Sequence, residues 1–183
     1  MESIMTNADK CKLTDIFNST ETNSQYFTEI SDKLVKSYTS ELDSLMSDLY
    51  EDAIESDASD AVLEKYLIEL GNLLYFLGTK LESVGIKEDL SKMAAKEVYN
   101  NAYLNNRLKD SEKKNKMPVA ELSALAEDAS RYESVMNSIY SRTYKQIKFK
   151  VDAGYDMINT IRKIITKRMN DQNLSRMNLT HGN

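Results

Sequence analysis

The stretch that decides the fold is "DAVLEKYLIELGNLLYFLGTKLESV", residues 60–84. Leu63, Leu70, Leu77 and Val84 recur every seven residues, and Leu67, Leu74 and Leu81 form a second series of the same spacing. Apolar residues alternating by three and four lie along one side of an α-helix, which is the pattern of a coiled-coil seam. Gly71 and Gly78 also lie seven apart beside that seam. Glycine is costly inside a helix unless something approaches its backbone closely, so tight packing is expected at both.

Working outward, the helical period continues on either side. Phe27, Ile30, Leu34, Tyr38, Leu42, Leu45 and Leu49 step by three or four, predicting a helix over residues 23–55. "ESDASD" interrupts it, and Ser59 or Asp60 is placed to cap the helix that follows. Gly85 is suited to end that helix in a left-handed cap, with a further helix over residues 87–109. The chain has one Pro and five Gly in 183 residues. So few turn formers exclude a sandwich or an α/β sheet and predict an all-α protein with long helices, either an elongated helical bundle or an antiparallel coiled-coil hairpin.

"KDSEKKNKMP" reads as a basic hinge at residues 112–117 that separates an acidic helical region, 23–111, from one long helix over 118–171. Pro118 is acceptable where that helix starts, because an N–H is not needed there. Its inward line is expected to run Leu122, Leu125, Ala129, Tyr132, Met136, Ile139, Thr143, Ile147, Val151, Gly154, Ile158, Ile161 and Ile165. The three steps of four between Ile139 and Val151 form a stutter in the heptad pattern. Residues 1–22 are polar and read as a mobile arm, and residues 172–183 as a flexible tail.

Charge is unevenly distributed. Residues 1–72 hold 16 acids and 5 bases, whereas residues 139–183 hold 3 acids and 9 bases. The acidic part limits non-specific adhesion, and the basic end is suited to phosphate or to an acidic partner. "MESIMTNADKCK" has no apolar signal core, and Cys11 is the only cysteine, so a cytoplasmic protein without disulfides is expected. The sequons at Asn18, Asn173 and Asn178 are then accidental. "YLIELGNLLYFLG" is too short and too interrupted to span a bilayer.

Catalytic material is scarce. His181 is the only histidine and the glycines form no phosphate loop, so neither a His-centred triad nor a His-based zinc or di-iron site can be assembled. No enzyme, cofactor, metal or small-molecule substrate is expected. Asp48, Glu51, Asp52 and Glu55 share a helix face, which reads as solvated acid rather than a cation site. Tyr99 and Tyr103, four apart, read as packing surface or as a stacking platform.

The positive pattern is "YSRTYKQIKFK", residues 140–150, where bases alternate with aromatics and no acid intervenes. At about 100° per residue with Ile147 inward, Arg142, Lys145 and Phe149 point outward, and Lys163 and Lys167 return to that side further along. A large aromatic among bases suits base stacking or a protein contact. Asp152 and Asp156 share the same side. An ordinary charged face, with Phe149 covered by a neighbouring helix or subunit, has the same pattern.

Two stretches, "KMAAKEVYNNAYLNNRLKD" and "ELSALAEDASRYESVMNSIYSRTYKQIKFKVDAGYDMINTIRKIITKR", separated by the basic hinge, resemble the UvsY-type recombination mediators of tailed bacteriophages over residues 90–168. The likeness is a helix, a turn, then a long helix with a basic end; the acidic first half departs from it. It implies a non-enzymatic oligomer in the bacterial host cytoplasm that binds single-stranded DNA and helps load a recombinase onto strands covered by single-strand-binding protein. Arg142, Lys145, Lys148, Lys163, Lys167 and Arg168 would then meet phosphates, and Phe149, with Tyr144, would meet bases. The competing class is a structural, assembly or adaptor protein that self-associates as a homo-oligomer through Leu63, Leu67, Leu70, Leu74, Leu77 and Leu81.

Overall fold

A computed structural model describes the backbone of residues 7–52, 58–111 and 116–180, and the side chains of residues 24–52, 58–111 and 116–175. The described residues form four α-helices and no strand. They are α1 (Asn7–Tyr50), α2 (Asp60–Ser111), α3 (Val119–Ala129) and α4 (Arg131–Thr180). The all-α class follows from the sequence pattern directly. Among the described residues no helix is long and apolar enough to cross a membrane.

Three helices run past boundaries that the sequence indicates. The arm expected over residues 1–22 is helix from Asn7 onward, and the tail expected from residue 172 is helix as far as Thr180. Neither segment contains Gly or Pro to stop it, and extending an existing helix is much easier than nucleating one. Gly85 ends nothing, since α2 runs through it without a break for 52 residues. Its role is steric: a Cβ there would lie 3.3 Å from Cε2 of Tyr144, so the glycine admits that ring.

The helix expected over 118–171 is two helices. Ser130 breaks it, with φ −96° and ψ 8°, and its hydroxyl donates to the Glu127 carbonyl. A serine that bonds back to its own preceding turn competes with the helical ladder, which accounts for a break there. The inward line shifts accordingly. Leu122, Ala126 and Ser130 are buried, whereas Leu125 and Tyr132 are exposed. From Ile139 the expected line holds, with Thr143, Ile147 and Val151 all buried.

The chain divides into two compact units. One comprises the described parts of Met1–Val35 and Glu88–Thr143. Its interior includes Val35, Leu122, Ala126 and Ile139, together with Ser31 and Thr143, whose hydroxyls are 3.2 Å apart and satisfy each other. Satisfaction matters here, because a buried hydroxyl without a partner costs roughly 1–3 kcal/mol. Near the hinge, the Met117 N–H donates to both carboxylate oxygens of buried Asp110 at 3.0 and 2.9 Å, and the Pro118 carbonyl accepts the first bonds of α3. Residues 112–115 of that hinge lie outside the described residues.

The other unit comprises the described parts of Lys36–Lys87 and Tyr144–Asn183. Leu42 and Leu49 of α1, the seam of α2, and Ile147, Val151, Ile158 and Ile161 of α4 fill its core. Leu63, Leu70, Leu74, Leu77 and Val84 are buried, and Leu67 and Leu81 are half-buried. The chain's own helices therefore cover the seam on which the sequence pattern placed a second copy. Close packing occurs at Gly154 rather than at Gly71 or Gly78. A Cβ on Gly154 would sit 2.8 Å from Leu74 Cδ2, whereas among the described residues nothing lies within 4 Å of a Cβ at Gly71 or Gly78.

At one end of this unit, the Ser59 carbonyl accepts from the N–H groups of Val62 and Leu63 and so starts α2. Tyr66 donates its hydroxyl to Asp52 at 2.6 Å. That bond to Asp52, with burial and the nearby Asp48 and Glu69 charges, raises the Tyr66 pKa to about 12. Part of the acidic face read from the sequence is thus engaged in joining α1 to α2. Glu55 lies outside the described residues, and among those described no cluster of His, Cys, Asp and Glu is arranged to hold a metal.

Candidate nucleic-acid interface

The basic residues of α4 separate into two kinds. Some hold the fold together. Lys150 pairs with Asp43 and donates to Thr39 Oγ1 at 3.1 Å. The sequence offers Arg168 as a phosphate ligand, but its Nη1 donates to the Ala58 carbonyl at 2.6 Å and to Asp60 Oδ1 at 3.1 Å. Its fork is committed to the connection before α2, so Arg168 leaves the candidate set. Tyr144 leaves it too, because its ring lies against Gly85.

Others are open to solvent. Lys145, Lys148, Lys163 and Lys167 are exposed, and among the described residues none of them forms an ion pair. Phe149 is 74% exposed, so no described part of the chain covers it. Ile147, two residues earlier, is fully buried, which fixes the orientation of this part of the helix. Lys145 and Lys163 are eighteen residues apart, five full turns, and project from the same side at a separation of about 27 Å along the axis.

Asp152 and Asp156 are exposed between them and divide the face into two basic clusters. The first is Lys145, Lys148 and Phe149. The second centres on a shallow surface depression of about 450 Å³ lined by Arg162, Lys163, Thr166, Lys167, Asn170 and Asp171. Arg162 is absent from the candidates the sequence pattern yields, although its position beside Lys163 is a signal that could have found it.

Arg142 has a different setting. It belongs to the unit containing α3, and its Nη1 donates to Thr28 Oγ1 at 3.3 Å. It lines a groove of about 440 Å³ whose apolar walls include Phe27, Val135 and Ile139. Tyr99 and Tyr103 stack on α2, with ring centroids 6.4 Å apart and planes 13° from parallel, and both are half-buried. Their mutual contact is the ordinary i,i+4 pairing of a helix surface.

A feature missed in the sequence is the outward side of α2, where Ile68, Tyr75, Phe76 and Ile86 are all more than half exposed. Its signal was present: these residues keep a helical period of their own, out of phase with the leucine seam. Comparison with known proteins finds no matching family model, no matching characterised protein and no matching solved structure.

Proposed function

We propose that the chain is a non-enzymatic helical protein that holds single-stranded DNA along the outward face of α4, as an accessory that assists a recombinase in loading. The observation that carries this reading is Phe149, 74% exposed among the open Lys145 and Lys148, with Lys163 and Lys167 further along the same side. An exposed aromatic on a water-facing helix costs solvation unless something covers it, and a base supplies a flat apolar surface while its phosphates meet the flanking ammonium groups. Bases in a duplex are already stacked on each other, so Phe149 favours a single strand. A flexible strand can also arch past Asp152 and Asp156, which a stiff duplex cannot do. A second reading, a structural or adaptor protein acting through self-association, draws on the exposed side of α2.

The test is fluorescence anisotropy with a labelled single-stranded oligonucleotide at low and physiological salt. Affinity should fall steeply with salt, because each phosphate neutralised on a single strand adds about 0.7 to the log–log slope. The K145E/K167E double variant should bind at least tenfold more weakly at low salt, with a slope shallower by about 1.4, at unchanged helicity. Undiminished binding by that variant would sink the proposal.

A further inference from the structure

The outward side of α2 is left exposed by the described parts of the chain. Opposite its buried leucine seam, α2 carries an outer line on which Ile68, Tyr75 and Ile86, at 67%, 72% and 59% exposure, alternate with Asn72, Thr79 and Glu82. Large apolar side chains gathered on one exposed line and bordered by polar residues mark a contact surface. Gly71 and Gly78 border the outer line, and with no described residue within 4 Å of either Cβ position, packing among the described residues gives no reason for them. Both glycines suit the close approach of a second helix.

We propose that this face docks a second copy of the chain, with the two α2 helices antiparallel and a two-fold axis level with Leu77. The positions are symmetric about that point. Ile68 and Ile86 each lie nine residues from Leu77, and Tyr75 and Thr79 each lie two. An antiparallel pair thus sets Ile68 of each copy against Ile86 of the other, and Tyr75 against Thr79. The glycine flank of one copy faces the same flank of its mate, so the two Gly78 residues lie within about 3 Å of each other along the axis and the backbones can approach.

Charge selects this partner and this orientation. Glu69 and Lys87 share the opposite flank, eighteen residues and five whole turns apart, and each is nine residues from Gly78. In that register each Glu69 lies within about 3 Å, along the helix axis, of the Lys87 of the other copy, twice per dimer. Phe76, 61% exposed, and Lys80 are each two residues from Gly78 on that flank, which places a cation beside an aromatic ring in both halves. The contact along Ile68 to Ile86 is about 27 Å long and one helix wide, the size of a reversible association. It is independent of the DNA reading, since it uses no residue of α4.

Sedimentation equilibrium of the full chain, from low micromolar to a few hundred micromolar, should show a monomer–dimer equilibrium. The I68E/Y75E variant, both of whose sites are exposed, should keep its helicity and weaken the dimer at least tenfold. Orientation is read separately by disulfide trapping in a Cys11→Ser background. Gly78→Cys should form an intermolecular disulfide, whereas Asn72→Cys, which meets itself only in a parallel pair, should not. A monomeric mass at every concentration overturns the proposal and leaves the face to a different protein. A dimer indifferent to I68E/Y75E, or one trapped through residue 72 in place of 78, also overturns it.

Discussion

Leu70→Asp should unfold the protein rather than dissociate an assembly. Leu70 is fully buried in the interior of its unit, among Leu63, Leu74 and Leu77 of the same seam. Removing such a side chain costs roughly 2–5 kcal/mol in lost burial and cavity formation. The carboxylate adds the cost of desolvating a polar group without a partner, even after it takes up a proton. A loss of about 5 kcal/mol is comparable to the whole stability of many domains. Circular dichroism should therefore show lost helicity, or a much lower denaturation midpoint, at all protein concentrations. A variant with wild-type helicity and midpoint but a smaller mass would show that the seam joins chains rather than filling one.

The second large effect is at Gly154. Leu74 surrounds the position a Cβ would take, with Cδ2 at 2.8 Å, Cδ1 at 3.2 Å and Cγ at 3.4 Å. Leu74 is itself fully buried, so any shift of its side chain must be taken up by the core around it. Alanine would gain about 1 kcal/mol of helix propensity over glycine, but overpacking a tight core costs about 1–3 kcal/mol. Valine adds two more methyl groups and a stiff χ1, so Gly154→Val should lower stability by about 2–3 kcal/mol, seen as a lower midpoint in urea. Gly71→Ala, with no described residue within 4 Å of the Cβ, should instead stabilise dilute protein by up to about 1 kcal/mol, seen as a higher midpoint. A Gly154→Val protein as stable as wild type would show that the two helices are not in contact there.

These two positions also show what the sequence made legible. The three-four alternation of Leu63 to Val84 revealed a buried side, because periodicity reports that a face is covered. It does not report what covers it, and the seam belongs to the chain's own α1 and α4. Glycines carry a similar ambiguity. One residue type serves a helix cap, a close contact and an open position, and only neighbours distant in sequence distinguish Gly85 against Tyr144, Gly154 against Leu74, and Gly71 in open space.

The extra helix at residues 7–22 and 172–180 was illegible for a different reason. Those segments are polar and lack a strong apolar period, yet each continues a helix established beside it. The outward face of α4 was legible because helical angle alone sets it once Ile147 is inward. The loss of Arg168 was not, since its partners Ala58 and Asp60 lie more than a hundred residues away in the chain.

The proposed stacking of single-stranded DNA on α4 at Phe149 has a direct optical test. The chain contains no tryptophan, so Phe149→Trp introduces a single reporter at an exposed position. Titrating that variant with an unlabelled single-stranded oligonucleotide at low salt should quench and shift the indole emission, and added salt should restore it. Stacking on an aromatic is worth roughly 1–3 kcal/mol per base, so Phe149→Ala should weaken binding by at least about fivefold. Binding that leaves the emission of the introduced indole unchanged would place the strand elsewhere and contradict the account.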